Sequence, residues 1–370
     1  MFTEEWPFHH DPDWPPKWSP GARPRPLVVY LDQWCYADKL VRDRAGPLND
    51  ENAGCYGVLR SLALDGSVIF PLSQAHYRET WKRENVDARW DTAVVMAELS
   101  GFHTLSTSNL VEWEALKCVA TFTKAAERID APNIIGWGLK HCLSSHEGPA
   151  YLMDKRTGKP ARWNSLPDDL QRSIAKLEHR VAYRFELAML ALRTPPLESV
   201  EMPPFAPIPD NQGDKFLSLE AKIRASIDSI GRSPKKIRSF IEELSYRDSW
   251  KYLISALQAL GLPHDSIADA LDGQPAGLHE LFKAMPIQGI FTELRIQTHL
   301  KKDWKGLSSD LLDFWTMATV MPFADYFVAD KKTYNLAKES RLDERSDCRI
   351  IRHLPELCEL LRKEVSTQQI

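Results

Sequence analysis

The chain lacks most of the short signatures that mark nucleotide-binding and hydrolytic enzymes. There is no GxxxxGK[ST] run and no GxGxxG, so no phosphate-cradling glycine loop of either kind is suggested. GxSxG and HExxH are also missing, which argues against a serine nucleophile at a strand-to-helix turn and against a two-histidine zinc helix. Cysteine is sparse. Cys35, Cys55, Cys118, Cys142, Cys348 and Cys358 are scattered with no CxxC pair, a pattern of reduced thiols rather than of a disulfide framework or a zinc site. No apolar run approaches the roughly 18 residues of a membrane span. The opening "MFTEEWPFHHDPDWPPKWSPGARPRP" lacks the basic start and apolar core of a leader peptide. A soluble, cytoplasmic protein with no membrane partner is the expectation. The net charge of −4 excludes polyanion binding by bulk charge and leaves room for a local basic face.

What the chain does have is an ordinary globular composition, 43% hydrophobic and 26% charged over 370 residues. That length holds two or three domains, or one domain with a large insertion. Residues 1–26 are rich in Pro and Trp and read as an extended arm, with His9-His10 beside Asp11 as a weak metal candidate. "PLVVYLD" and "SVIFPLS" read as short buried strands. Helices are expected over "NDENAGCYGVLRSLALDG", from Ser73 through "SQAHYRETWKREN", and around 87–100 before "FHTL". From about 108 to 302 the periodicity is helical with almost no strand signal, divided by a Pro-rich connector at 194–210. The end returns to alternation: helices over "FTELRIQTHLKKDW" and "SSDLLDFWTMATVM", strand "YFVAD", helix "KKTYNLAKES", strand "CRIIR" and a closing helix. The expected architecture is one α/β domain with a parallel sheet flanked by helices, formed by 27–107 and 285–370 and interrupted by a helical insertion at 108–284.

Acids recur at one kind of place in this pattern. Asp32 ends the first strand and Asp330 ends "YFVAD", while Glu79 lies early in the helix after the second strand. Ligands of open parallel sheets bind beyond the carboxyl ends of the strands, so these three can converge. Asp310 and Asp313 share a face near the start of the helix that feeds the strand bearing Asp330. Carboxylates about 4 Å apart repel by on the order of 4 kcal/mol per pair at an effective dielectric near 20. They stay ionised together only beside cations, and hard oxygen donors suit Mg²⁺ or Mn²⁺. Such a set points to metal-dependent phosphodiester hydrolysis.

"VVYLDQW", "FPLSQAHYRETW" and "SSDLLDFWTMATVMPFADYFVAD" together resemble the successive acidic motifs of PIN-domain (PIN-like) ribonucleases. The resemblance covers about 27–105 and 285–360, and implies a PIN-like fold and endoribonuclease activity. It implies metal ligands at Asp32, Glu79, Asp313 and Asp330, with Asp310 and Asp325 as supporting or alternative ligands. Bland readings stand beside these. Asp310 serves equally as a helix-start acid, and Asp325 as a turn initiator after Pro322. Glu84, Asp87 and Asp91 compete with Glu79, and His76 is either a substrate contact or a satisfied helix histidine.

Lys301, Lys302 and Lys305 precede the acidic helix and Lys331 and Lys332 follow the last Asp, so these lysines are the candidates for phosphate contact with RNA. Trp81, Trp304 and Tyr334 are candidates for base stacking or for the core. Lys235, Lys236 and Arg238 open an inserted helix and read as a solvated face. A toxin or defence-type nuclease follows from the family's habits, with the insertion as the place for a protein partner or inhibitor. Two further readings remain: a catalytically degenerate module that binds RNA or protein, and a Mg²⁺-dependent phosphatase. The phosphatase needs a second acid two residues after the nucleophilic Asp, where this chain has Trp34.

Overall fold

The computed structural model describes residues 26–46, 50–106, 110–124, 211–267, 275–344 and 346–368, with shorter pieces between 129 and 192. The arm before Pro26 and the connector at 194–210 lie outside these residues.

Four strands form a fully parallel sheet in the order β2-β1-β7-β8: β1 Leu27–Leu31, β2 Val68–Ile69, β7 Tyr326–Val328 and β8 Arg349–Ile351. Their alternation splits the core into two layers, as the period of two along a strand requires. Leu27, Val29, Leu31, Val68, Tyr326, Val328 and Ile351 enter one apolar cluster. Val28, Tyr30, Ile69, Phe327 and Ile350 enter the other. Helices cover both faces, the arrangement parallel sheets need because neither face is polar. Helices α1 (Val41–Ala45), α2 (Cys55–Leu64), α3 (Gln74–Lys82) and α4 (Val86–Ser100) succeed one another along the first half of the chain.

The insertion is tied into this body. β3 (His103–Leu105) bridges Leu72 at the end of the β2 segment and pairs antiparallel with β4 (Ile135–Trp137). Leu110 and Val111 of α5 (Leu110–Phe122) join the second cluster, and Leu139 and Cys142 of α6 (Gly138–Ser144) join the first. β5 (Met153–Asp154) and β6 (Lys159–Pro160) form a separate antiparallel pair. Among the described residues further along are α7 (Asn211–Ile230), α8 (Pro234–Ala259) and α9 (Pro275–Ala284). The last part contains α10 (Pro286–Leu300), α11 (Asp310–Val320), α12 (Lys331–Glu339) after β7, and α13 (Leu354–Gln368) after β8.

Several expectations change. The chain turns helical directly after Asp32, through a wide π turn at Cys35–Leu40 that continues into α1, where no helix is legible in the sequence. α2 begins at Cys55 rather than at Asn49 or Asp50, because Asp50 is engaged in a tight turn with the Asn52 amide (2.7 Å). Gly66, at φ +74, supplies the left-handed residue that ends it. Within the stretch of helical periodicity, "SPKKIRSFIEELSY" and "SWKYLISALQALG" belong to one continuous helix of 26 residues, α8. β4 is a strand inside a region that reads as helical.

Candidate functional site

Two adjacent central strands end in acids. Leu31 of β1 lies opposite Val328 of β7, and the chain continues into Asp32 on one strand and Ala329-Asp330 on the other. The Asp32 amide donates to Val328 O (3.0 Å), and Asp32 Oδ1 accepts from the Gln33 amide (2.7 Å). Asp330 caps α12, its Oδ1 accepting from the Thr333 amide (2.7 Å). Each therefore keeps one carboxylate oxygen without a protein donor among the described residues. Asp313 lies in the first turn of α11, whose amino end returns to this edge because the helix runs back into β7.

Glu79 is brought to the same edge by a chain of hydrogen bonds. Ser73 starts α3, its hydroxyl bonded to the Tyr30 hydroxyl (2.8 Å) and its amide donating to His76 Nδ1 (2.9 Å). With Nδ1 accepting, the proton sits on Nε2, which donates to Leu31 O (2.7 Å). Burial pushes His76 down to about 4, so it stays neutral and holds this tautomer at ordinary pH. Gln33 Nε2 donates to Thr80 Oγ1 (3.0 Å). The residues on either side of Asp32 are thus both bonded to α3, one turn before Glu79 and one residue after it. His76 is a satisfied helix histidine that positions this helix.

The charges of the four acids act on one another. The Asp32 carboxyl is pushed up to about 8, first by burial and then by the negative charges of Glu79, Asp313 and Asp330. Asp313 rises to about 7 through burial and the charges of Glu79, Asp310 and Asp330, with Lys332 pulling it down. Glu79 is raised by burial and Asp330 against the pull of Lys82 and Arg83. Glu79 and Asp313 have no hydrogen-bond donor to their carboxylates among the described residues. Glu84, Asp87 and Asp91, the competitors of Glu79, are all exposed.

The two expected supporting ligands, Asp310 and Asp325, are both engaged by protein donors. Asp310 is fully buried, its Oδ2 accepting from the Leu307 amide (3.0 Å) and its Oδ1 paired with Lys332 Nζ, so it braces α11 against α12. Asp325 lies at the amino end of β7, the far edge of the sheet from Asp330. Its Oδ2 accepts from the Val28 amide (2.8 Å), and its own amide donates to Val28 O (2.8 Å). Five residues of near-extended chain, roughly 16 Å, separate Asp325 from Asp330, too far to share an ion. As a ligand beside the other four, Asp325 is corrected to a clamp between β1 and β7.

Among the lysines, Lys332 is taken up by Asp310 and Lys301 by Glu339, while Lys302, Lys305 and Lys331 are exposed. Arg224 of α7 donates to Lys301 O and Lys302 O (both 3.1 Å) and lies 5.6 Å from the Trp304 ring, which fixes the loop leading into α11. Trp81 donates from Nε1 to Met189 O (2.8 Å) and Tyr334 packs on the second cluster, so both serve the core. Lys82 and Arg83, whose charges reach Glu79, are cations that the sequence reading passes over; "TWKREN", one turn beyond the acid, is the signal for them. In the insertion, Arg238 pairs with Glu293 (2.8 Å) and Lys236 Nζ with Ile230 O (2.7 Å).

The donor set fits a hard divalent cation: four half-buried carboxylates, each with at least one oxygen unclaimed among the described residues, and a repulsion that a cation would relieve. Among the described residues no three His, Cys, Asp or Glu side chains stand gathered closely enough to hold a metal ion as they are. Mg²⁺ ordinarily takes only one or two carboxylates and completes its shell with water and phosphate oxygens, which suits half-buried acids at the end of a sheet. Comparison of the chain with protein-family models, with curated proteins and with solved structures finds no match.

Proposed function

We propose that this protein is a PIN-like, metal-dependent endoribonuclease that hydrolyses phosphodiester bonds with water as the nucleophile. The observation that carries the reading is the coupling of Asp32 to Glu79, Asp313 and Asp330 beyond the end of β1, where burial first and then these three charges push Asp32 up to about 8. A folded protein that keeps four acids together at this cost has a use for them at functional sites. Asp32 and Asp330 would hold Mg²⁺ or Mn²⁺ through their unclaimed oxygens, with Glu79 and Asp313 binding the ion directly or through its water shell. Such an ion, when bound, activates water and balances charge building on the scissile phosphate. Lys302, Lys305 and Lys331 hold neighbouring phosphates of the RNA, and Lys82 and Arg83 extend the basic rim on the Glu79 side.

The competing reading is a catalytically silent module of the same architecture that binds RNA or a protein through the helical insertion. Incubating the purified protein with single-stranded and structured RNA in Mg²⁺, Mn²⁺ or chelator separates the two. The nuclease cleaves with metal, stops in chelator, and loses activity in Asp32→Asn and Asp330→Asn. Tight RNA binding without cleavage, unchanged by both substitutions, identifies the module.

A further inference from the structure

Between the end of α10 and the start of α11 runs a short, mostly exposed loop, 301–309. Its far end is fixed on the acidic side. The Leu307 amide donates to Asp310 Oδ2 (3.0 Å), and Asp310 is paired with Lys332, two residues beyond Asp330. Its near end is fixed from the insertion. Arg224 of α7 spreads its guanidinium over three carbonyls at the end of α10 and just beyond it. Nη1 donates to Lys301 O and Lys302 O and Nη2 to Thr298 O, all at 3.1 Å. One helical turn earlier on α7, the buried Glu220 accepts from Arg295 Nε (3.0 Å) and His299 Nε2 (2.6 Å) of α10, so the helix that carries Arg224 is itself held. α7 also meets the loop backbone at two glycines. A Cβ on Gly213 would strike the Ser308 carbonyl, and one on Gly306 would strike Leu217. Between the anchors stand Lys302 and Lys305, exposed and paired with no acid among the described residues, whereas Lys301 is held by Glu339. Asp303 is the single acid of the loop.

We propose that the insertion serves substrate binding, with α7, through Arg224, as the brace that holds Lys302 and Lys305 where they take the phosphates of an RNA strand entering the acidic edge. The proposal rests on the nuclease reading for the identity of its ligand. A lysine meets phosphate as a point charge on a flexible stem, so two of them make a site only when the backbone beneath them is held. Ordering a loop at the moment of binding subtracts from affinity, and a loop ordered during folding avoids that loss. Arg224 suits the task because its planar fork reaches three carbonyls at once, which a lysine in its place could not do. Its donors are engaged by these carbonyls and its guanidinium lies 5.6 Å from the Trp304 ring, so it acts on RNA through the loop, as a positioning residue.

Anisotropy of a fluorescein-labelled single-stranded RNA, read over a salt series in chelator, tests this on the full-length protein, with cleavage by the wild type in Mn²⁺ run beside it. Lys302→Ala combined with Lys305→Ala should weaken binding about tenfold and flatten the slope of log affinity on log salt by about 1.4, the worth of two phosphate contacts on a single strand. Arg224→Met, which keeps both lysines, should reproduce most of that loss and flattening, and the triple variant should bind no worse than the lysine pair. A merely structural Arg224 would add its loss to theirs or leave the salt slope unchanged, and either result in folded protein overturns the proposal. On the native chain, where no variant has to fold, bound RNA should slow tryptic cleavage after Lys302 and Lys305. Cleavage unchanged at both sites, or no RNA binding by the wild type, overturns it as well. If the wild type cleaves RNA and Arg224→Met binds it normally, the brace fails and the nuclease stands. If the variants follow the expected pattern and the wild type does not cleave, the nuclease reading fails and the brace stands.

Discussion

Replacing Asp32 by Asn should make the metal-free protein more stable at pH 8 while abolishing cleavage. Asn keeps the shape of the residue and a carbonyl oxygen for the Gln33 amide at 2.7 Å, and it removes the charge. In the folded protein the Asp32 carboxyl sits at about 8 instead of the ordinary 3.8. Each tenfold change in proton affinity is worth about 1.4 kcal/mol, so forcing ionisation in the fold costs on the order of 6 kcal/mol. Asp32 is only partly shielded from water and its neighbours can themselves take up protons, so a net effect of about 2–4 kcal/mol is the figure to test. The sign follows from linkage. A carboxyl with a raised folded pKa contributes stability that is fully present below 3.8 and lost as the pH climbs through about 8. Urea unfolding in chelator, at pH 4 and pH 8, should therefore show wild type weakening with pH relative to Asp32→Asn, with the two nearly equal at pH 4. Added Mn²⁺ should recover the wild type and leave the variant unmoved, as a ligand that binds only the native state does. A variant less stable than wild type at pH 8 in chelator would refute the electrostatic reasoning.

The other acids and their supports behave differently. Asp325→Ala should leave RNA cleavage intact while costing about 1–2 kcal/mol, because the Val28 amide loses its partner; a loss of cleavage in folded protein would return Asp325 to the site. His76→Ala should cost roughly 2–4 kcal/mol for a buried side chain that closes three hydrogen-bonding groups, and should lower kcat by letting α3 and Glu79 move. Its neutral ring also predicts acid sensitivity: with the folded pKa depressed to about 4, the stability it contributes is present above 6.5 and is lost as the pH falls through 4. A pH titration of unfolding in wild type and His76→Gln reads this out. Lys332→Met leaves the buried Asp310 with only the Leu307 amide, and should cost about 1–3 kcal/mol in urea unfolding.

What the sequence made legible was local. "VVYL" and "YFV" are β-branched and aromatic runs, and their alternation sends Val29 and Val28 to opposite clusters as a period of two requires. Asp32 and Asp330 could be found because each is the polar residue that closes such a run. Asp325 shows how far that logic reaches. It opens the short run that Asp330 closes, so a strand between them was already reason to place the two at opposite edges. Asp310 was less accessible, since Lys332 lies 22 residues on and only the packing of α11 on α12 brings it near. The helix after Asp32 escaped notice because it has no connecting loop, and its start at Trp34 lacks a side-chain cap. In α8 the charged "RD" between two stretches of helical periodicity does not interrupt the helix, since Arg247 bonds back to Glu243 one turn earlier and the helix runs on. β4 is three residues long and is specified by its pairing to β3 rather than by its own composition.

Anomalous diffraction from crystals soaked in Mn²⁺ tests the central claim most directly. A single strong peak in contact with Asp32 and Asp330, with Glu79 and Asp313 facing it, is the predicted result. Mn²⁺ bound elsewhere, or no peak at the carboxyl edge of β1 and β7 while the four carboxylates stay ordered, would contradict it.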